Sequence, residues 1–317
     1  MGFVADRTNL CSVNAVKEVL FERRGTVLLS FARVVLWVLG ISTLLEWLCG
    51  ISSPAQTNFA FGLAGLVGGF LFGLGAALNN GCSLHTLTRL GRGNIGMAVS
   101  IFGLVIGAMI CRAFLVQVPG IAARPVDLPV VVHPVHRDIL LVVLSIWMLV
   151  ELLRLFRGFR LSQCMSRLLA GEYQLSSSAA LLGIANGILF ALVGTWMYTY
   201  TLIQGTTNLL FPDSPFYSTF PGLLWWLLVA YLGGIVASSI SQHKLIIAIQ
   251  PRLRWFRYFF GGAFMGLGAS LVPGGNDVLL LNAIPGLSAH ALPAYLAMLV
   301  GVAIALLVQN RYFADDP

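Results

Sequence analysis

GGFLFGLGAALNNGCSLHTLTRLGRG, residues 68–93, and GGAFMGLGASLVPGGNDVLLLNAIPG, residues 261–286, carry one pattern twice. Aligned without a gap, Gly68, Gly69, Gly73, Leu74, Gly75, Ala76, Leu78, Gly81, Leu87 and Gly93 recur as Gly261, Gly262, Gly266, Leu267, Gly268, Ala269, Leu271, Gly274, Leu280 and Gly286. Each copy runs from a glycine-rich apolar helix into a glycine-rich break. A half-apolar segment follows, 82–90 or 276–285, too brief to cross a bilayer, which takes about 20 residues. Irregular backbone at membrane depth is tolerated only where it is buried in protein or lines a cavity. Both segments are therefore read as re-entrant half-helices.

The rest of the chain supports a membrane setting for the pattern. Of its 317 residues 58% are hydrophobic and 10% charged, and the mean hydropathy is +0.87. Soluble domains carry roughly 25% charged residues, so too little polar surface remains here to coat a water-facing globule. Apolar runs predict eight spans, at about 27–50, 59–79, 95–117, 138–157, 178–203, 222–240, 256–272 and 290–308. If all eight cross, fifteen of the nineteen lysines and arginines share one side with both termini. Arg112, Arg124 and Arg137 fall on the other side, and Arg33 lies within the first span. This bias supports the span count and places both termini in the cytoplasm. Five crossings separate the two copies of the pattern, an odd number, so the repeats should be inverted, with a site at their interface.

The expected fold is thus an all-α membrane protein of about eight transmembrane helices, with re-entrant half-helices in two inverted repeats. One transmembrane domain fills residues 1–317, with repeat 1 at about 1–117, connecting spans at about 118–203 and repeat 2 at about 222–308. Segments 11–22 and 242–250 look amphipathic and short, and each reads as a further re-entrant element or an interfacial helix. The net charge of +7 is spread through short gaps and forms no contiguous patch, so a nucleic-acid partner is not expected. No apolar leader opens the chain. The five cysteines show no CxxC or Cys/His cluster, so neither a zinc or iron–sulfur site nor any other cofactor is expected. No P-loop is present, which argues against ATP hydrolysis by this chain.

Cys82 is the most informative residue, placed at the start of a half-helix where exposed amides and the positive dipole end favour anions. Asn79, Asn80, Ser83 and Thr86 add neutral polar groups, and Gly81 lets the backbone approach a ligand. The alternative for Cys82 is a buried cysteine packed as a small hydrophobe. Cys11 precedes another plausible half-helix, whereas Cys49, Cys111 and Cys164 read as structural. His85 and Arg89 share a helix face at i and i+4. Arg89 either balances a dianion or sets topology, and His85 either lines the path or packs. Glu46 lies inside a span and is a candidate for proton coupling, against a simpler pairing with Arg33. At the second break, Gly275 and Asn276 face the corresponding position, and Asp277 reads as the cap of its own half-helix.

In these residues the chain resembles the YeeE/YedE family of membrane proteins, which includes thiosulfate uptake channels. ADRTNLCSVNAVKEVLF, FGLGAALNNGCSLHTLTRLGRGN and ASSISQHKLIIAIQPRLRWFRYFFGGAFMGLGASLVPGG carry the resemblance, which covers most of the chain. It implies an hourglass of helices in which cysteines near the constrictions pass thiosulfate inward by brief S–H···S contacts. Cys11 and Cys82 match two such cysteines, while the family's third falls at Gly275. The chain also starts where family members are finishing an additional first span. The resemblance implies a bacterial inner-membrane transporter or channel for a small sulfur-containing anion, thiosulfate first, rather than an enzyme. Its partners would be that anion, the lipid bilayer and a cytoplasmic sulfur-accepting protein. Another sulfur or selenium cargo, or a membrane-embedded protein that carries persulfide on Cys82, is the alternative.

Overall fold

The computed structural model describes residues 1–8, 10–50, 58–115, 125–126, 134–157, 173–210, 221–248 and 251–313. The chain is built of helices: α1 (Gly2–Arg7), α2 (Ser12–Lys17, continued by a π turn over Glu18–Glu22), α3 (Thr26–Cys49), α4 (Leu63–Leu78), α5 (Ser83–Gly91) and α6 (Gly96–Ile110). Then come α7 (Pro134–Phe156), α8 (Leu175–Val193), α9 (Tyr198–Leu210), α10 (Pro221–Ser241), α11 (Arg252–Leu271), α12 (Asn276–Val278, continued by a π turn over Leu279–Ala283) and α13 (Ala291–Phe313). Asn58–Phe59 pairs antiparallel with Pro125–Val126. Among the described residues six helical stretches are long and apolar enough to cross a membrane, and α11 with α12 makes a seventh, bent by 48° at its break. The eighth expected span falls on α7, whose exposed Ile139, Val142, Val143, Ile146, Leu149 and Leu153 suit lipid rather than water.

Lipid supplies no hydrophobic drive for helix association, so packing rests on close approach, which small residues permit. The glycines of the repeated pattern show this directly. A Cβ on Gly68 would lie 2.8 Å from the Gly268 carbonyl oxygen, and one on Gly75 would lie 2.5 Å from that of Gly261. Numbers rise along α4 as they fall along α11, so the two helices cross antiparallel. A two-fold axis perpendicular to them exchanges residue n with residue n+193. The flanking contacts follow the same relation with the register moved by one residue. Gly69 and Gly73 meet the Ala294 and Met298 carbonyls of α13, and their counterparts Gly262 and Gly266 meet the Ser100 and Leu104 carbonyls of α6. The inverted repeat read from glycine spacing is thus a packing relation, since each copy's α4-type helix seats against both copies. Outside this core, α3 packs on α8 as α10 packs on α1.

Two segments differ from expectation, and a third takes one of the two forms expected for it. The predicted span 178–203 is broken between α8 and α9, where Gly194 takes a left-handed φ of 83°. That break has no counterpart in the repeated motif, and uniform apolarity hid it. Residues 242–248 are neither re-entrant nor helical: Ile246 and Ala248 donate their amides to the Arg92 and Gly93 carbonyls. Segment 11–22 is a half-helix sunk in the protein, with Cys11, Val13 and Ala15 buried. Arg33 pairs with Glu151 of α7 at 3.7 Å, whereas Glu46 lies exposed near the end of α3. Cys164 lies outside the described residues.

Two arginines counted as topology signals also hold the structure together at one end. Arg92 donates to the Asp6 carboxylate at 2.7 Å, and Gln242 reaches its other oxygen at 3.1 Å. Arg7 donates to Ser238 and Ser241 of α10. The Asp6 side chain is fully buried and that of Arg92 is 33% exposed. Arg92→Ala should strand a buried carboxylate and cost about 3 kcal/mol. Heating detergent-solubilised protein and following the loss of its monodisperse peak measures this, and Arg92→Lys should recover part of the loss.

Candidate functional site

The four short helices α2, α5, α9 and α12 begin close together in the middle of the molecule. Cys11, Cys82 and Gly275 stand at the N-cap positions of α2, α5 and α12, and none of these three helix starts is closed by a cap side chain. The local chain explains the geometry at α5. The Asn79 side chain donates to the Thr86 hydroxyl at 2.6 Å, one turn into α5. Asn80 makes the turn with a left-handed φ of 52°, and Thr86 returns a bond to the Cys82 carbonyl at 3.0 Å.

The two predicted thiols meet although 71 positions separate them. The Cys82 backbone N–H points at the Cys11 sulfur, 3.4 Å away, and both residues are fully buried. A polar chain then crosses the two-fold axis. Tyr295 lies 3.5 Å from the Ser12 hydroxyl, which accepts from the Asn276 amide at 2.9 Å. Ser83 donates to the Asn276 carbonyl oxygen at 2.5 Å. Ser83 and Asn276 are exchanged by the 193-residue operation, so this bond lies on the axis itself. The Ser83 hydroxyl is also 3.2 Å from the Asp277 carboxylate. Asp277 accepts from the Thr199 hydroxyl at 2.6 Å and from the Thr199 amide at 3.2 Å. It therefore caps the start of α9, not its own half-helix as the sequence suggested.

The remaining predicted residues sit around this centre. Gly275 donates its amide to the Thr199 hydroxyl at 3.1 Å and has no room for a Cβ, which would come within 2.6 Å of the Asp277 carboxylate. Gly81 packs against the His85 ring. His85 faces a cavity of about 30 Å³ shared with Thr8, Thr88 and Tyr231. Asn80 is exposed and lies away from the centre. Arg89 also lies away from the throat, with its guanidinium 3.4 Å from the Asn79 carbonyl and 5.8 Å from the centre of the Tyr258 ring. On the opposite side a cavity of about 20 Å³ is lined by Thr195, Val278, Asn282 and His290.

Sequence reasoning missed Ser12, Tyr198, Thr199 and Tyr295. The first had a signal, since it directly follows Cys11 at a half-helix start. Tyr198 and Thr199 follow Gly194 in GTWMYT, where the last of three glycines in an apolar run was the sole hint. Tyr295 sits in an ordinary span and carries no signal of its own.

A family model described as "Sulphur transport" matches residues 7–304, nearly the whole chain. No curated protein matches it.

Proposed function

The chain belongs to the sulphur transport family, the YeeE/YedE proteins, and on that premise we propose that it conducts a small sulfur-containing anion, thiosulfate first, inward past Cys11 and Cys82. The observation that carries this reading is the meeting of two buried thiols at the starts of α2 and α5, next to the Ser83–Asn276 bond that joins the two halves. Helix N-terminal amides attract negative charge without a full cation to trap it. A polarisable thiol contacts a terminal sulfur weakly, which suits passage better than storage. The cytoplasmic side is assigned to the end that bears Arg7, Arg89 and Arg92, in a bacterial inner membrane. A cytoplasmic sulfur-accepting protein would draw the cargo onward.

Asp277 and Gly275 favour a second reading, in which the cargo carries less charge than a dianion. A carboxylate stands where the approaching species must pass, and the third thiol of the family pattern is absent.

Proteoliposomes holding the purified protein distinguish the two. Labelled thiosulfate uptake should be saturable and competed by unlabelled thiosulfate, with sulfate competing at least tenfold more weakly because it lacks a terminal sulfur. Competition by hydrosulfide or a selenium analogue in place of thiosulfate would select the second reading. Failure to take up any sulfur or selenium species would refute both.

A further inference from the structure

Asp277 is a carboxyl group in the middle of a membrane protein, fully buried. No lysine or arginine pairs with it among the described residues. Its neighbours are Ser83, Thr199 and Asn276, which are neutral. In the first half of the chain the equivalent position, 193 residues earlier, is Leu84. The repeated architecture thus carries an apolar residue at one of the two equivalent places, and an intramembrane acid without a cationic partner is a functional group by default.

Resting on the sulfur-anion reading above, we propose that Asp277 carries one proton with each anion that passes the throat. The hydrogen bonds around it suit a group that exists in two protonation states. Ser83 has one hydroxyl proton and two acceptors in reach, Asn276 at 2.5 Å and Asp277 at 3.2 Å. With Asp277 protonated, its O–H donates to Ser83 and Ser83 donates to Asn276, so every group is satisfied. With Asp277 ionised, Ser83 can turn its proton to the carboxylate, and Thr199 already supplies two further donors. Neither state leaves the carboxyl without partners, so it can shuttle between them.

Other ionisable side chains stand around it. The titratable groups facing this pocket are Tyr198 from α9, Tyr231 from α10, Cys82 and His85 from α5, Cys11 from the start of α2 and Tyr295 from α13. The flanking cavities of about 30 and 20 Å³ each exceed the roughly 10–15 Å³ that a water needs. One reaches Leu84 and His85 beside Ser83, and the other reaches Val278 beside Asp277. Two small voids thus lie within one residue of Ser83 and Asp277 along the chain, the first of them walled mostly by apolar side chains. In the cycle Asp277 takes a proton from the α12 side, the anion crosses past a neutral carboxyl, and the proton leaves toward the α5 side. One proton enters and one leaves, and no electron moves.

The test uses the full-length protein in proteoliposomes with a trapped pH dye, the membrane potential clamped by potassium and valinomycin. An acidic exterior should raise initial labelled thiosulfate uptake at least threefold, and added thiosulfate should acidify the lumen. In Asp277→Asn, which preserves the acceptor for Thr199, residual uptake should no longer respond to the gradient. Difference infrared spectra of wild-type protein should show a protonated-carboxyl band that Asp277→Asn lacks, a readout independent of transport. Wild-type uptake unaffected by the proton gradient would overturn this inference and leave the sulfur-anion reading standing. So would stimulation by sodium alone, or the absence of the infrared band. Absence of uptake of every sulfur species would overturn both.

Discussion

Cys82→Ala should cut initial thiosulfate uptake at least tenfold while the purified protein keeps its elution profile and melts within a few degrees of wild type. The thiol is fully buried, and two backbone bonds that shape the break do not depend on it: the Cys82 N–H meets Cys11 and its carbonyl accepts from Thr86. Alanine preserves both. What it removes is the sulfur at the start of α5, and a tenfold slowing corresponds to about 1.4 kcal/mol, within the range of a single weak sulfur contact. Cys82→Ser is the sharper comparison. It restores size and a hydroxyl but not polarisability, so it should stay closer to alanine than to wild type. Unchanged uptake in the alanine variant would reduce Cys82 to a packing residue.

Gly266→Ala should have the largest effect on folding. An alanine Cβ at this position would lie 1.9 Å from the Leu104 carbonyl oxygen, backbone that cannot swing aside as a side chain can. The helices must part by about 1 Å to restore ordinary contact, which loses the close approach on which membrane helix packing rests. Overpacking of this kind costs about 3 kcal/mol. The variant should give little monodisperse protein and melt well below wild type. Gly73→Ala tests the two-fold relation, since its Cβ would lie 2.1 Å from the Met298 carbonyl oxygen in the equivalent seam, and a similar loss is expected. Gly233→Ala is the control: nothing lies within 4 Å of a Cβ there, and alanine is the better helix former by about 1 kcal/mol. Equal stability of all three variants would contradict the packing geometry.

Hydropathy and glycine spacing were enough, as a linear pattern, to fix the membrane class, most of the apolar spans and the inverted repeat. A bilayer demands long apolar runs, and a two-fold seam demands small residues at matched offsets, so both leave marks that can be counted along the chain. Cys82 was legible for the same reason, because its break is part of the repeated motif. Tertiary structure alone decided what meets Cys82. The approach of Cys11, the Thr199 bonds to Asp277, the Ser83–Asn276 bond on the axis and the Asp6–Arg92 pair join residues 71 to 193 positions apart. A polar group at membrane depth must find a partner, but composition does not say which one. That choice is made where four half-helices converge, and convergence is a property of the packed whole.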